Sequence, residues 1–176
     1  MRKLFFKFFK EVFGRNDTML NFDDKKFEEK TLAREEIFSG KIFHVVKDVV
    51  SFHDGQESFR ELVFHNGGTA IAPVHNNKMI LVGQYRKALE KFIFEIPAGK
   101  LEKGEEKDPK AAALRELEEE TGYLAQDRTE ITAFYGTPGF SSEKTYVYFS
   151  SNLTKVEHPK PADDGEFLEQ IEVTLS

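Results

Sequence analysis

A chain of 176 residues with 31 acidic and 25 basic side chains carries a formal charge of −6, which disfavours broad nucleic-acid binding through phosphate contacts. It contains no cysteine, so disulfides, thiolate metal ligands and a cysteine nucleophile are excluded. With 39% hydrophobic and 32% charged residues, it is suited to one globular domain with a true core and room for a small appendage.

No apolar run is long enough to span a membrane. The opening MRKLFFKFFKEVFGRNDTML places Lys3, Lys7, Lys10 and Gly14 on one helical stripe, with Leu4, Phe5, Phe8, Phe9 and Val12 largely opposite. Lysines interrupt the apolar part and no small-residue cleavage site follows, so it is not a secretory signal. Two readings remain for residues 1–18. One is an amphipathic helix lying on a membrane surface. The favoured one is an upstream extension with no function, Met19 being the true start.

Residues 27–68 read as a string of short strands punctuated by turns at Ser39-Gly40, Asp54-Gly55 and Asn66-Gly67-Gly68. They could form a separate small sheet. TAIAPVHNNKMILVGQYR (69–86) is a hairpin about Asn76-Asn77, a pair that tolerates the left-handed conformation of a tight turn. A strand in KFIFEIPAGK (91–100) is followed by a loop. After it comes a helix, with Asp108 as N-cap, Pro109 in the first helical position and Gly122 as terminator. EITAFYGTPGFSSEKTYVYFSS (130–151) is strand, Pro/Gly loop, strand, and KVEHPKPADDGEFLEQIEV (155–173) is a polar loop and a strand. Many β elements around one marked helix predict an α+β fold.

On that helix Leu114, Leu117 and Thr121 share one side, while Glu116, Glu119 and Glu120 share another. Like charges at helical spacing oppose the helix by a few tenths of a kcal/mol per pair. A solvated acidic face would explain the run. So would a divalent-cation site, because carboxylates at i, i+3 and i+4 converge and hard cations prefer oxygen.

What precedes the helix decides between them. PAGKLEKGEEKDPKAAALRELEEETGY (97–123) resembles the signature of the Nudix hydrolases: a Gly (Gly99), five residues, a Glu (Glu105), seven residues, then Arg-Glu-apolar-X-Glu-Glu-X-Gly-apolar, matched by 115–123. Here nine residues, not seven, separate Glu105 from Arg115. The insertion lies ahead of the helix and leaves the glutamate register intact, but it bears on how Glu105 meets Arg115.

The resemblance implies the Nudix fold, an α/β/α sandwich about a mixed β-sheet, preceded by a small N-terminal β-sheet. With the extension read at 1–18, it implies a β region at 19–63 that joins two subunits of a homodimer, and a hydrolase domain at 64–176. Family members usually continue into a further helix past the last strand, so the domain is expected to be truncated at its C-terminus. By carry-over, Glu116 and Glu120 ligate Mg²⁺ (Mn²⁺ as the alternative), with Glu119 beside them and the Ala98 carbonyl completing the site. Glu119 is also a catalytic candidate. Arg115 and Glu105 are expected to pair and pin the loop to the helix.

SFRELVFHNGGTAI (58–71), VGQYRKALEKFIFEIPAGKLEKGE (82–105) and FYGTPGFSSEKTYVYF (134–149) look like the ADP-ribose pyrophosphatase group within that family. This implies hydrolysis of ADP-ribose to AMP and ribose 5-phosphate in the cytoplasm, with no nucleic-acid partner. Arg60, Glu61 and Arg86 would meet the substrate, a guanidinium fork being suited to paired phosphate or ribose oxygens. Arg60 could equally be a strand residue paired with an acid. Glu143 in the TPGFSSE turn would border the site. Glu166, with Asp164 near it, would supply a metal ligand or the base that activates water. The five histidines form no pair at metal-ligand spacing and read as ordinary strand or turn residues. Two other functions stay open: hydrolysis of another nucleoside diphosphate sugar or an oxidised nucleotide, and nucleotide sensing without turnover.

Overall fold

The computed structural model describes residues 25–161, 165 and 167–175. The expectations for residues 1–18, Met19, Asp164 and Glu166 lie outside those residues. Three long strands come first: β1 (Lys30–Ser39), β2 (Phe43–Ser51) and β3 (Glu57–His65), joined as a sheet in the order β1-β2-β3. They are longer than the short strands expected, and their turns fall at Ser39-Gly40 and Asp54-Gly55 as read from the sequence. The described residues fall into two compact units, one holding those up to Arg34 with Asp48–Phe59, the other Glu35–Lys47 with those from Arg60 onward.

In the first unit the Arg34 guanidinium donates through Nε and Nη2 to the two carboxylate oxygens of Asp48, both at 2.7 Å. Thr31 Oγ1 adds a third bond at 3.2 Å. Asp48 is only 1% exposed, and a buried carboxylate survives there because its charge is matched and its lone pairs are used.

The second unit is built on β4 (Gly68–His75), β5 (Lys78–Arg86), β6 (Lys91–Glu95), β7 (Ala98–Lys100), β8 (Tyr123–Ala125), β9 (Thr129–Tyr135), β10 (Lys144–Ser150), β11 (Leu153–Lys155) and β12 (Glu169–Thr174). The main sheet runs β12-β5-β4-β10-β9, with β6 paired to β5 and β7 to β4. β10 lies parallel to β4, the other pairs are antiparallel, and the sheet is therefore mixed. β8 and β11 form a separate pair. Asn76 and Asn77 turn the β4–β5 hairpin with φ of 50° and 60°, the two left-handed residues that a tight hairpin requires.

The only α-helix among the described residues, α1 (Pro109–Thr121), lies against β4, β5 and β10. Asp108 caps it by accepting from the Ala111 N–H at 3.1 Å. Gly122 ends it in the left-handed conformation, φ 69°, its N–H returning to the Glu118 carbonyl. Leu117 is fully buried with Ile71, Ile80, Ala113, Tyr123, Tyr148 and Leu153; one such leucine contributes about 1.5–3 kcal/mol. Tyr148 pays for this position in acidity: burial, then Glu130 and Asp108, push its hydroxyl up to about 12. Leu114, expected on the buried side, is only half-buried, whereas Glu120 is buried. The opposite sheet face aligns Tyr85 with Phe92 and Gly83 with Phe94 across β5 and β6, and those three aromatic rings are about half exposed.

Candidate active site

The loop that enters α1 is fastened at both ends. β7 pairs with β4 through Ala98 with Ala70 and Gly99 with Thr69. Buried Leu101 then donates its N–H to the Gly67 carbonyl at 3.0 Å. At the other end Thr69 Oγ1 donates to the Pro109 carbonyl at 3.0 Å, tying the start of the helix to the same strand. The two extra residues are taken up between these anchors. Glu102 and Glu105 close a turn on each other, and residues Glu105–Lys107 form one 3-10 turn that delivers Asp108 to its cap.

The insertion therefore does not separate Glu105 from Arg115. The Arg115 guanidinium reaches Glu105 through Nε and Nη2, both at 3.3 Å. It also reaches Glu119 at 2.8 Å and Glu116 at 3.0 Å. One cation thus faces three carboxylates. Burial raises the Glu105 carboxyl, but the Glu102 N–H and Arg115 outweigh it and hold the group below its usual value. Burial works against the Arg115 charge, and its three acids overcome this and raise its pKa.

Glu120 is 9% exposed and accepts the Ala98 N–H at 3.0 Å. Glu116 lies against the bare Cα of Gly99, where a Cβ would overlap its carboxylate. This is an acidic face packed onto a strand, with Glu116 and Glu119 only 14% and 16% exposed at their side chains. A solvated acidic surface does not describe it. Among the described residues no three acids or histidines stand together as a finished metal-ligand set; Glu116 and Glu119 turn to Arg115, and Glu120 to Ala98. The donor set still suits a hard divalent cation, being all oxygen, nearly buried and already facing a positive group.

The proposed substrate groups lie on other elements. Arg86, at the end of β5, donates Nε to Glu95 at 2.7 Å, and neither of its Nη atoms has a hydrogen bond among the described residues. Arg60 is half-buried and Glu61 exposed; as neighbours on β3 they face opposite sides of the strand. The turn 137–143 is stitched to β3: the Val63 N–H donates to the Phe140 carbonyl at 2.8 Å and the Ser142 N–H to the Val63 carbonyl at 2.9 Å. Glu143 then stands 4.0 Å from His65 Nδ1, which accepts the Gly67 N–H.

Glu95 and His65 were not found from the sequence. The Glu95 pairing follows from β5–β6 register, which puts Arg86 and Glu95 on one face. The His65 contact joins positions far apart in the chain, and no local pattern announces it.

Residues 65–175 match the family described as NUDIX domain. The chain is 51% identical over 152 residues to an ADP-ribose pyrophosphatase of Bacillus subtilis (strain 168), covering 86% of this chain and 81% of that protein. It is 49% identical over 152 residues to a methanol dehydrogenase activator of Bacillus methanolicus, with the same coverage. A solved structure described as an ADP compounds hydrolase superposes with a TM-score of 0.74 at 24% identity, covering 84% of this chain and 78% of that one, a likeness of fold. With its glutamate helix docked on β7 and this match across most of its length, the chain belongs to the Nudix family.

Proposed function

We propose that this chain hydrolyses the pyrophosphate bond of ADP-ribose, giving AMP and ribose 5-phosphate, with Mg²⁺ (or Mn²⁺) as cofactor. The observation that carries the reading is the seating of Glu120 on the Ala98 N–H and of Glu116 on Gly99, with Glu119 held next to them on Arg115. The Bacillus subtilis relative's name supports the substrate.

A bound divalent cation would neutralise the charged pyrophosphate and acidify the attacking water. Glu116 and Glu120, with the Ala98 carbonyl, would hold it. Glu119 and Glu166 are the proposed acid–base groups, Glu166 accepting the proton as water attacks phosphorus and the bridging oxygen leaves with one phosphate. Arg86 would use its spare Nη donors on phosphate or ribose oxygens. Arg60, Glu61 and Glu143 complete the proposed substrate contacts. We also propose a cytoplasmic homodimer joined through the N-terminal strands; the support is β1, exposed along all ten residues, with Leu32, Ile37 and Phe38 each more than half exposed.

The test is a product analysis of purified chain with ADP-ribose, other nucleoside diphosphate sugars and nucleoside triphosphates. AMP should appear fastest from ADP-ribose, vanish with EDTA and fall at least a hundredfold in Glu120→Gln, order-of-magnitude losses expected of a group that holds charge in the transition state. Turnover of another substrate alone would move the assignment within the family. No product from folded protein would favour nucleotide sensing. The Bacillus methanolicus relative supports a second reading, action on a dehydrogenase, read out by adding this chain to an alcohol dehydrogenase assay.

A further inference from the structure

We propose that Arg115 is a place-holding cation whose withdrawal from Glu116 and Glu119 sets how tightly this site binds its divalent ion, with Glu105 as the post to which it retreats. The inference rests on the cation reading above and concerns what the chain's own guanidinium does there.

The contacts divide into two kinds. On the helix, Arg115 meets Glu119 at 2.8 Å through Nη1 and Glu116 at 3.0 Å through Nη2. On the loop, it meets Glu105 through a two-point fork at 3.3 Å. Glu105 is itself anchored, one oxygen accepting the Glu102 N–H at 2.8 Å. The helix contacts are those that a ligand role would consume. The loop contact is not, because Glu105 lies outside the helix trio.

Arg115 must release Glu116 and Glu119 before those oxygens can turn toward a divalent ion. A +1 group a few ångströms from a +2 ion is also repelled by it, even where solvent screens the pair. The guanidinium cannot answer by losing its proton, since arginine stays charged in proteins. It can answer only by moving. The loop of residues 102–108, closed on Glu105 and fixed at Leu101 and Pro109, offers a fully charged partner to which it is already bonded. Arg115 would then have two duties: relieving repulsion among the helix carboxylates when no ion is bound, and giving way when one arrives. A purely structural arginine would have only the first.

These duties predict opposite effects from one substitution. In chelator-treated protein, Arg115→Gln should lower the melting temperature, because Glu116 and Glu119 lose their counter-charge. Titrated calorimetrically with Mn²⁺, the same variant should bind roughly tenfold more tightly than the parent, a change of about 1.4 kcal/mol. Glu105→Gln removes the retreat and should weaken Mn²⁺ binding several-fold while leaving Glu116, Glu119 and Glu120 in place. Arg115→Met, which keeps an apolar stem and removes the charge, covers the case in which Arg115→Gln fails to fold, and should also bind Mn²⁺ more tightly than the parent.

Equal or weaker Mn²⁺ affinity in the folded arginine variant overturns the proposal, as does unaltered affinity in Glu105→Gln. If the parent binds no Mn²⁺, or binds it equally well after Glu120→Gln, the cation reading fails first, and that result is distinct from either of the others.

Discussion

Glu116 rests its carboxylate on the Cα of Gly99, so the space a side chain would need at position 99 is already filled by Glu116 oxygens. Neither partner can retreat as backbone. Gly99 is held opposite Thr69 in the β4–β7 pair, and Thr69 also holds the first turn of α1 at Pro109. One threonine thus sets the gap between strand and helix, and glycine is the residue that leaves the gap open.

Gly99→Ala should therefore damage the site more than the fold. The group it displaces is the end of a flexible side chain, which can swing aside without moving the helix. Thermal unfolding should change little. Turnover should fall on the order of a hundredfold, since displacing a site group by about an ångström costs that much. A large fall in melting temperature with turnover retained would contradict this account.

Asp108 makes the converse case. Its carboxylate accepts the Ala111 N–H at the start of α1, and it lies away from the glutamate end of the helix. Asp108→Ala should cost about 1 kcal/mol of stability, the usual worth of an N-cap. Urea unfolding gives the stability, and turnover of the folded protein should be nearly unchanged.

These two residues differ in how visible they were. Asp108-Pro109 and Gly122 are local signals, and the helix ends where they place it. Asn76-Asn77 likewise marked its hairpin. The glutamate spacing located the acidic face, because helical geometry converts spacing into direction without any tertiary information. What the face touches is a different matter. The burial of Glu120, its bond to the Ala98 N–H and the triple engagement of Arg115 depend on how β7 docks on β4, which no spacing within the helix encodes. The same holds for the longer box: sequence raised the question of Glu105, and only the 3-10 turn answered it. Leu117 and Thr121 are buried as their spacing predicts, and Leu114 packs half-buried against the same core. The buried side of α1 also takes in Ala113 and Glu120, which the leucine spacing does not announce.

The N-terminal strands carry a pH prediction. The Arg34 fork, against the cost of burial, holds the Asp48 carboxyl below its ordinary value of 3.8. A carboxyl lowered in the folded state contributes stability that is fully present above the unfolded value and is lost as pH falls through the folded one. Asp48→Asn should therefore melt well below the parent at pH 7, and the gap should narrow as pH drops from about 4 downward. A gap independent of pH would mean that Asp48 acts through shape and neutral hydrogen bonding, not through its charge.

Glu95 carries the last prediction. It engages Arg86 through Nε at 2.7 Å, both side chains being between a third and two-fifths exposed. Binding Nε fixes the plane of the guanidinium while leaving its outer edge, with both Nη atoms, for another partner. If that partner is the substrate, Glu95 acts by positioning and touches nothing that reacts. Its loss should then be felt as weaker binding shared by substrate and transition state, which raises KM and leaves kcat. Glu95→Ala should raise the KM for ADP-ribose roughly tenfold, the worth of one charge-assisted hydrogen bond, with kcat within about twofold. Glu95→Gln, which keeps an acceptor oxygen for Nε, should recover most of that loss, whereas Arg86→Ala should lose as much as Glu95→Ala and gain nothing from combination with it. A fall in kcat alone, or additive losses in the double variant, would separate the two residues and return Glu95 to the role of an ordinary strand acid.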